Sequence, residues 1–272
     1  MPEQLFAPSI CAAAFLQTFL PRSRCRALAL GESIPEQVSG ACLSADVSGF
    51  TPLTESLGNS LGPQRGAEVL TTTINEIFES LIRQVHRFDG DVFGFAGDAI
   101  TCWFADVDGS SPQASVQRAA ACALAMQGEM QQFAAVLTPD GKTHCLSVKV
   151  GISHGSQRRL LVGLPEQGLF DLLTGEAVLR MAAAEHHAGK GDIVCAPEVA
   201  AALAGATWGA ERDGFKLLLG LESAAPPDRA AEEAANPALS PALSPALSME
   251  ALRPYFPPLL YDWLVRYSAA SQ

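Results

Sequence analysis

The sequence predicts an α+β sandwich, a sheet with helices packed on one face. Two observations carry that expectation. Apolar residues recur at helical steps over residues 66–87, and they alternate with small or polar ones at Leu146, Val148, Val150 and Ile152 as in a half-buried strand. The two patterns are interleaved as strand, helix, hairpin, helix, strand, then helix and strand, an order that suits helices laid over one sheet.

Residues 40–44 form a small-apolar strand leading into Asp46, and the glycine-bearing stretch 58–66 reads as a loop. Val69, Leu70, Ile74, Ile77, Phe78, Leu81 and Val85 then lie at three- and four-residue steps, which makes residues 66–87 an amphipathic helix. Residues 92–95 and 99–104 are rich in aromatic and branched side chains, so they pair as a hairpin whose Ala96-Gly97-Asp98 turn carries Asp98 at its tip. An alanine-rich helix is expected over 112–133 and a second over 176–187. Short strands are expected at 160–163, 169–173 and 193–196.

Four segments follow from composition. Residues 1–37 are an N-terminal packing segment: the apolar stretch 5–20 is broken by Pro8 and Gln17, lacks a basic start and is too short for a membrane span. Residues 38–221 are the main domain. Residues 222–248 are a flexible Ala/Pro/Ser-rich linker containing a threefold Pro-Ala-Leu-Ser repeat. Residues 249–272 regain Tyr255, Phe256, Leu259, Trp263 and Leu264 and form a C-terminal docking helix, which fits a chain that leads into a further domain.

The chain has 272 residues, 48% of them hydrophobic and 17% charged, as expected of a protein with a packed core. A net charge of -11 and scattered Lys and Arg leave no basic stripe, which argues against nucleic acid as a partner. Seven cysteines without a Cys-x-x-Cys pair read as reduced, buried thiols and point to the cytoplasm.

The chemistry is concentrated in two short strings, Ala45-Asp46-Val47-Ser48-Gly49-Phe50-Thr51 and Phe95-Ala96-Gly97-Asp98-Ala99, each of which places one aspartate beside glycine. Two carboxylates on adjacent strands supply the hard oxygen ligands that divalent ions and a triphosphate require.

With Gly90-Asp91-Val92-Phe93-Gly94-Phe95-Ala96-Gly97-Asp98 and Val148-Lys149-Val150-Gly151-Ile152-Ser153-His154-Gly155 added, the chain resembles a class III nucleotide cyclase domain over residues 38–221. The likeness is greatest to the first catalytic half of the soluble, two-half adenylyl cyclases. It implies a ferredoxin-like-derived, antiparallel-rich sheet and conversion of ATP to cyclic AMP and pyrophosphate. By that resemblance Asp46 and Asp98 are the catalytic carboxylates and hold two Mg²⁺ ions, for which Mn²⁺ can substitute, with the Val47 carbonyl as an added ligand. Ser48, Gly49, Phe50 and Thr51 form the turn whose free N–H groups favour phosphate oxygens. Lys149 falls where related domains carry a cation facing the triphosphate, and Lys216 is the alternative.

The same resemblance exposes what this chain lacks. The base-reading lysine falls on Gly94, and the asparagine and arginine that stabilise the transition state fall on Leu179 and Ala183. The base-reading acid falls on Leu172, or on Asp171 with one inserted loop residue. The pair that binds bicarbonate in the resembled cyclases falls on Gly94 and Ala182. A homodimer is therefore expected to be weak or inactive, and the partner is a second cyclase half carrying the missing Lys, Asn and Arg. The competing reading is a catalytically inactive cyclase-fold module that binds nucleotide or a partner. A diguanylate cyclase is disfavoured because its Gly-Gly-Asp/Glu-Glu-Phe hairpin is absent. His186 and His187 have no ligand partners at metal spacing and read as capping or exposed residues.

Overall fold

The computed structural model describes residues 12–106, 113–222, 226 and 247–270. Most of the expected linker, together with residues 1–11 and Cys11, lies outside them. In chain order the elements are α1 (Ala12–Gln17), α2 (Arg22–Leu30), β1 (Gln37–Ser48), α3 (Phe50–Leu61), α4 (Pro63–Arg87), β2 (Asp91–Ala96), β3 (Ala99–Ala105) and α5 (Gln113–Met130). Then come the short β4 (Val136–Leu137) and β5 (Thr143–His144), β6 (Ser147–Leu164), β7 (Gly168–Thr174), α6 (Glu176–His187), β8 (Ile193–Cys195) and α7 (Pro197–Ala202). The hairpin strands β9 (Ala206–Arg212) and β10 (Phe215–Leu221) follow, and α8 (Met249–Leu252) and α9 (Pro258–Ala270) complete the series. These elements divide into two units, one within Val38–Gln157 and Gly175–Pro227, the other within Met1–Gln37, Arg158–Thr174 and Asp228–Gln272.

In the larger unit the strand order is β2-β3-β1-β6-β8-β10-β9. The β1/β3, β2/β3, β8/β10 and β9/β10 pairs are antiparallel and β6/β8 is parallel, so the sheet is mixed and antiparallel-rich, in an α+β fold. Alternation along the strands divides the two faces. Ala41, Leu43, Ala45, Val47, Val148, Val150 and Ile152 join Leu81 and Val85 of α4 and Val116, Ala120 and Met126 of α5 in one fully buried cluster. Burial of each large side chain there contributes about 1.5–3 kcal/mol. The alternate residues Gly151 and Ser153 turn to α6: the Ser153 hydroxyl donates to the Ala177 carbonyl at 2.6 Å. Gly151 permits direct backbone contact, since a Cβ there would lie 2.5 Å from the Met181 carbonyl oxygen.

Three local expectations are corrected. The supposed loop over 58–66 is helical except at Gly62, whose positive φ breaks the chain between α3 and α4 while Pro63 occupies the first turn of α4. Gly58 lies inside α3, and Gly66 is small because a Cβ would meet the Leu57 carbonyl at 2.9 Å where the two helices touch. The strands expected at 146–152 and 160–163 are parts of the single strand β6. The strand expected at 40–44 runs from Gln37 to Ser48, so Asp46 lies within it.

The smaller unit draws on three distant parts of the chain. Ala13 and Leu16 of α1 share a core with Leu252, Tyr255, Phe256, Tyr261 and Leu264, and Leu28 of α2 and Leu169 of β7 pack against it. Residues 158–164 of β6 pair antiparallel with β7, Arg159 opposite Leu173 and Leu161 opposite Asp171. The Asp171 carboxylate, 2% exposed, accepts from Arg24 Nε and Nη2, both at 2.8 Å, and from Arg159 Nε at 2.9 Å. Burial alone would raise its pKa, but the two guanidiniums outweigh it and hold the carboxyl below its ordinary value.

Among the described cysteines Cys42, Cys102, Cys122 and Cys195 are buried, and Cys145 is exposed, against the expectation of uniformly buried thiols. Burial pushes the Cys42 and Cys195 thiols up to about 12, so neither is ionised near neutrality. No helix among the described residues is long and apolar enough to cross a membrane.

Candidate two-carboxylate site

The β2/β3 hairpin turns through Gly97 and Asp98, and Gly97 adopts φ +64, the left-handed region that favours glycine. Pairing of β3 with β1 sets Ala99 opposite Asp46. The Val47 N–H donates to the Asp98 carbonyl at 3.0 Å, which locks the turn against the strand. The two carboxylates consequently face each other closely enough to interact. Asp98 is held above the usual carboxylate pKa, first by burial and then by the charge and hydrogen bond of Asp46. Fifty-two residues of separation in sequence are thus closed by one strand register.

Lys149 of β6 completes the cluster. Its Nζ lies 3.0 Å from Asp46 Oδ2 and 2.6 Å from Glu185 Oε1 of α6. Glu185 first and Asp46 next favour the charged form, and the lysine pKa rises. Lys216, the alternative cation, is on β10 opposite Cys195 and pairs with Glu211 at 3.4 Å. Glu185 escaped the sequence reading: its contact joins two distant segments, and its only trace in the sequence is the pairing of Gly151 with the helix that passes over it.

The turn after Asp46 depends on glycine. Gly49 has φ +106, and a Cβ there would lie 2.5 Å from the Cys145 carbonyl oxygen, so only glycine fits. The Ser48 and Ser147 hydroxyls are 2.9 Å apart. α3 begins at Phe50 with no side-chain cap, which leaves the first N–H groups, including that of Thr51, without a capping side chain.

The residues present fit divalent ions of the magnesium type. The charge of Asp46 adds to the cost of ionising Asp98, a repulsion that a cation relieves. No group of three or more His, Cys, Asp or Glu residues is gathered for a metal among the described residues. Two carboxylates without a full cage suit an ion that keeps its remaining positions for water and phosphate oxygens.

The positions expected to lack function are equally defined. Gly94 on β2 has open space where a side chain would project. Leu179 is 72% exposed on α6, and Ala182 and Ala183 offer no polar group. Asp171 is fully engaged by Arg24 and Arg159, whereas Leu172 is 46% exposed. His187 stacks on Phe215 with ring centroids 4.7 Å apart and has no carboxylate or thiol ligand set around it among the described residues.

The fold is that of nucleotide cyclase catalytic domains. The adenylyl cyclase CyaB from P. aeruginosa superposes with a TM-score of 0.56 at 18% identity, covering 68% of this chain and 95% of that one. The guanylate cyclase domain of RhGC from Catenaria anguillulae, solved with GTP, gives 0.54 at 14% identity, with coverage of 69% and 100%. A bacterial light-regulated adenylyl cyclase gives 0.58 at 16% identity, with coverage of 93% and 65%. No protein-family model matches the chain. In sequence it is 28% identical to adenylate cyclase type 10 of Rattus norvegicus over 172 residues, 61% of this chain, and 28% identical to the Homo sapiens protein over 160 residues. The aligned stretch spans 10% of the rat relative. Sequence and fold thus both liken this chain to class III nucleotide cyclase domains.

Proposed function

We propose that this domain is the metal-carrying half of an adenylyl cyclase, which converts ATP to 3',5'-cyclic AMP and pyrophosphate in a site completed by a second half. The observation that carries the reading is the pair of Asp46 on β1 and Asp98 in the turn before the neighbouring strand β3, with an uncapped helix start after Asp46 and Lys149 paired to it. Asp46, Asp98 and the Val47 carbonyl would hold Mg²⁺ or Mn²⁺. When bound, such ions lower the pKa of the ribose 3'-hydroxyl and neutralise the leaving pyrophosphate.

This chain's own residues do the rest of the binding. The N–H groups at the start of α3, in the Ser48 to Thr51 turn, receive phosphate oxygens, and the helix dipole adds to the attraction. Lys149, paired to Asp46, adds a positive charge to the same site. Nothing at Gly94, Leu172, Leu179 or Ala183 can read a base or neutralise charge on the transferred phosphoryl group, so those functions fall to the partner half. ATP rather than GTP is favoured by the likeness to adenylate cyclase type 10. The buried, un-ionised thiols and the lack of a membrane-spanning helix among the described residues support a cytoplasmic location.

The test is a mixing experiment. The lone chain is expected to be silent with Mg-ATP or Mn-ATP and to turn over when mixed with a half bearing Lys, Asn and Arg. Asp46→Ala or Asp98→Ala should abolish that turnover, and a fully active Asp46→Ala mixture refutes the metal assignment. A second reading, a nucleotide-binding regulatory module, is favoured by the exposed Leu179 and the bare Gly94. It predicts that the mixture stays silent.

A further inference from the structure

One ammonium, that of Lys149, serves two carboxylates: Glu185 at 2.6 Å and Asp46 at 3.0 Å. The fold builds this closeness in. A Cβ on Gly151 would lie 2.4 Å from the Glu185 amide nitrogen, so glycine lets α6 rest directly on β6. Lys149 and Gly151 are two residues apart on that strand and share a face, which fixes Glu185 beside the lysine. All three side chains are partly shielded, with exposures of 19% for Asp46, 27% for Lys149 and 23% for Glu185.

A cation bound at Asp46 and the ammonium on the same carboxylate are like charges competing for one group. We propose that Glu185 is a positioning residue that takes over Lys149 when a divalent cation claims Asp46, and so keeps the ammonium at the site instead of losing it to solvent. The proposal rests on the metal-binding reading of Asp46. Without Glu185 the lysine falls back on Asp46, and every metal that binds must break that pair. Without Lys149 there is nothing to displace. Removal of the two residues therefore moves metal affinity in opposite directions, which a purely structural role for Glu185 would not do.

Mn²⁺ binding to the full chain, without nucleotide, is measured by electron paramagnetic resonance of the free ion. Lys149→Gln should bind about five-fold more tightly than wild type and Glu185→Gln about five-fold more weakly. The double variant should return to within about two-fold of Lys149→Gln, since Glu185 acts through the lysine. Wild-type affinity in Glu185→Gln, or an undiminished loss in the Lys149→Gln background, overturns the proposal. If Glu185→Gln fails to fold by circular dichroism, the lysine variant alone decides, and Mn²⁺ binding no tighter than wild type overturns the proposal. Equal binding by Asp46→Asn and wild type would instead overturn the metal reading itself, a result distinct from the others.

Discussion

Replacement of Asp171 by alanine leaves two arginines facing an apolar core. The carboxylate is 2% exposed, and its partners Arg24 and Arg159 are 11% and 4% exposed, so water cannot replace what is lost. Removal of one partner from a buried charge cluster costs about 3–5 kcal/mol. Arg159 keeps a hydrogen bond to the Ser23 hydroxyl at 2.8 Å, which favours the lower end, about 3 kcal/mol, or roughly 150-fold in an opening equilibrium. Native-state hydrogen exchange reads this region by region. Amides in residues 12–37, 158–174 and 247–270 should lose protection by about that factor, while the larger unit keeps its own. A loss below about 1 kcal/mol, or an equal loss in both units, refutes the reasoning. The pH dependence has a defined sign. The guanidiniums hold the native carboxyl below its ordinary pKa, so Asp171 stabilises the fold above the unfolded value of about 3.9 and loses that contribution as pH falls through the lower native value. The stability gap between wild type and Asp171→Asn should therefore narrow in strong acid.

Gly49→Ala places a Cβ against the Cys145 carbonyl at a left-handed backbone position and should destabilise the larger unit by roughly 1–3 kcal/mol, seen as a lower melting temperature. The triple variant Gly94→Lys, Leu179→Asn, Ala183→Arg restores the missing residue types at one open and two accessible positions. It should give the lone chain measurable cyclic nucleotide production where wild type is expected to give none, because one positioned transition-state donor is commonly worth about 10²–10³ in rate.

What the sequence disclosed was local. The turn at Gly97-Asp98, the periodicity of α4 and the bounds of α6 depend on neighbours in the chain; the latter two are where residue type and spacing place them, while Ala96, expected in the turn, belongs to β2. The two aspartates stood out because Asp98 directly follows Gly97 and Asp46 comes three residues before Gly49, both glycines with positive φ. Glycine misled at 58–66, where Gly66 serves helix packing and Gly62 alone breaks the helical run. Glu185 was invisible because its partner is thirty-six residues away on another element. The fate of Asp171 was equally hidden, since it is decided by Arg24, 147 residues upstream.

The smaller unit also dictates an order of events during synthesis. Ala13 and Leu16 share their core with Leu252, Tyr255, Phe256, Tyr261 and Leu264, so α1 leaves the ribosome long before that part of its cover exists. The larger unit has its own core and can close as soon as β10 is made. Helix α1 is thus among the last elements to settle, an apolar segment that waits for distant partners.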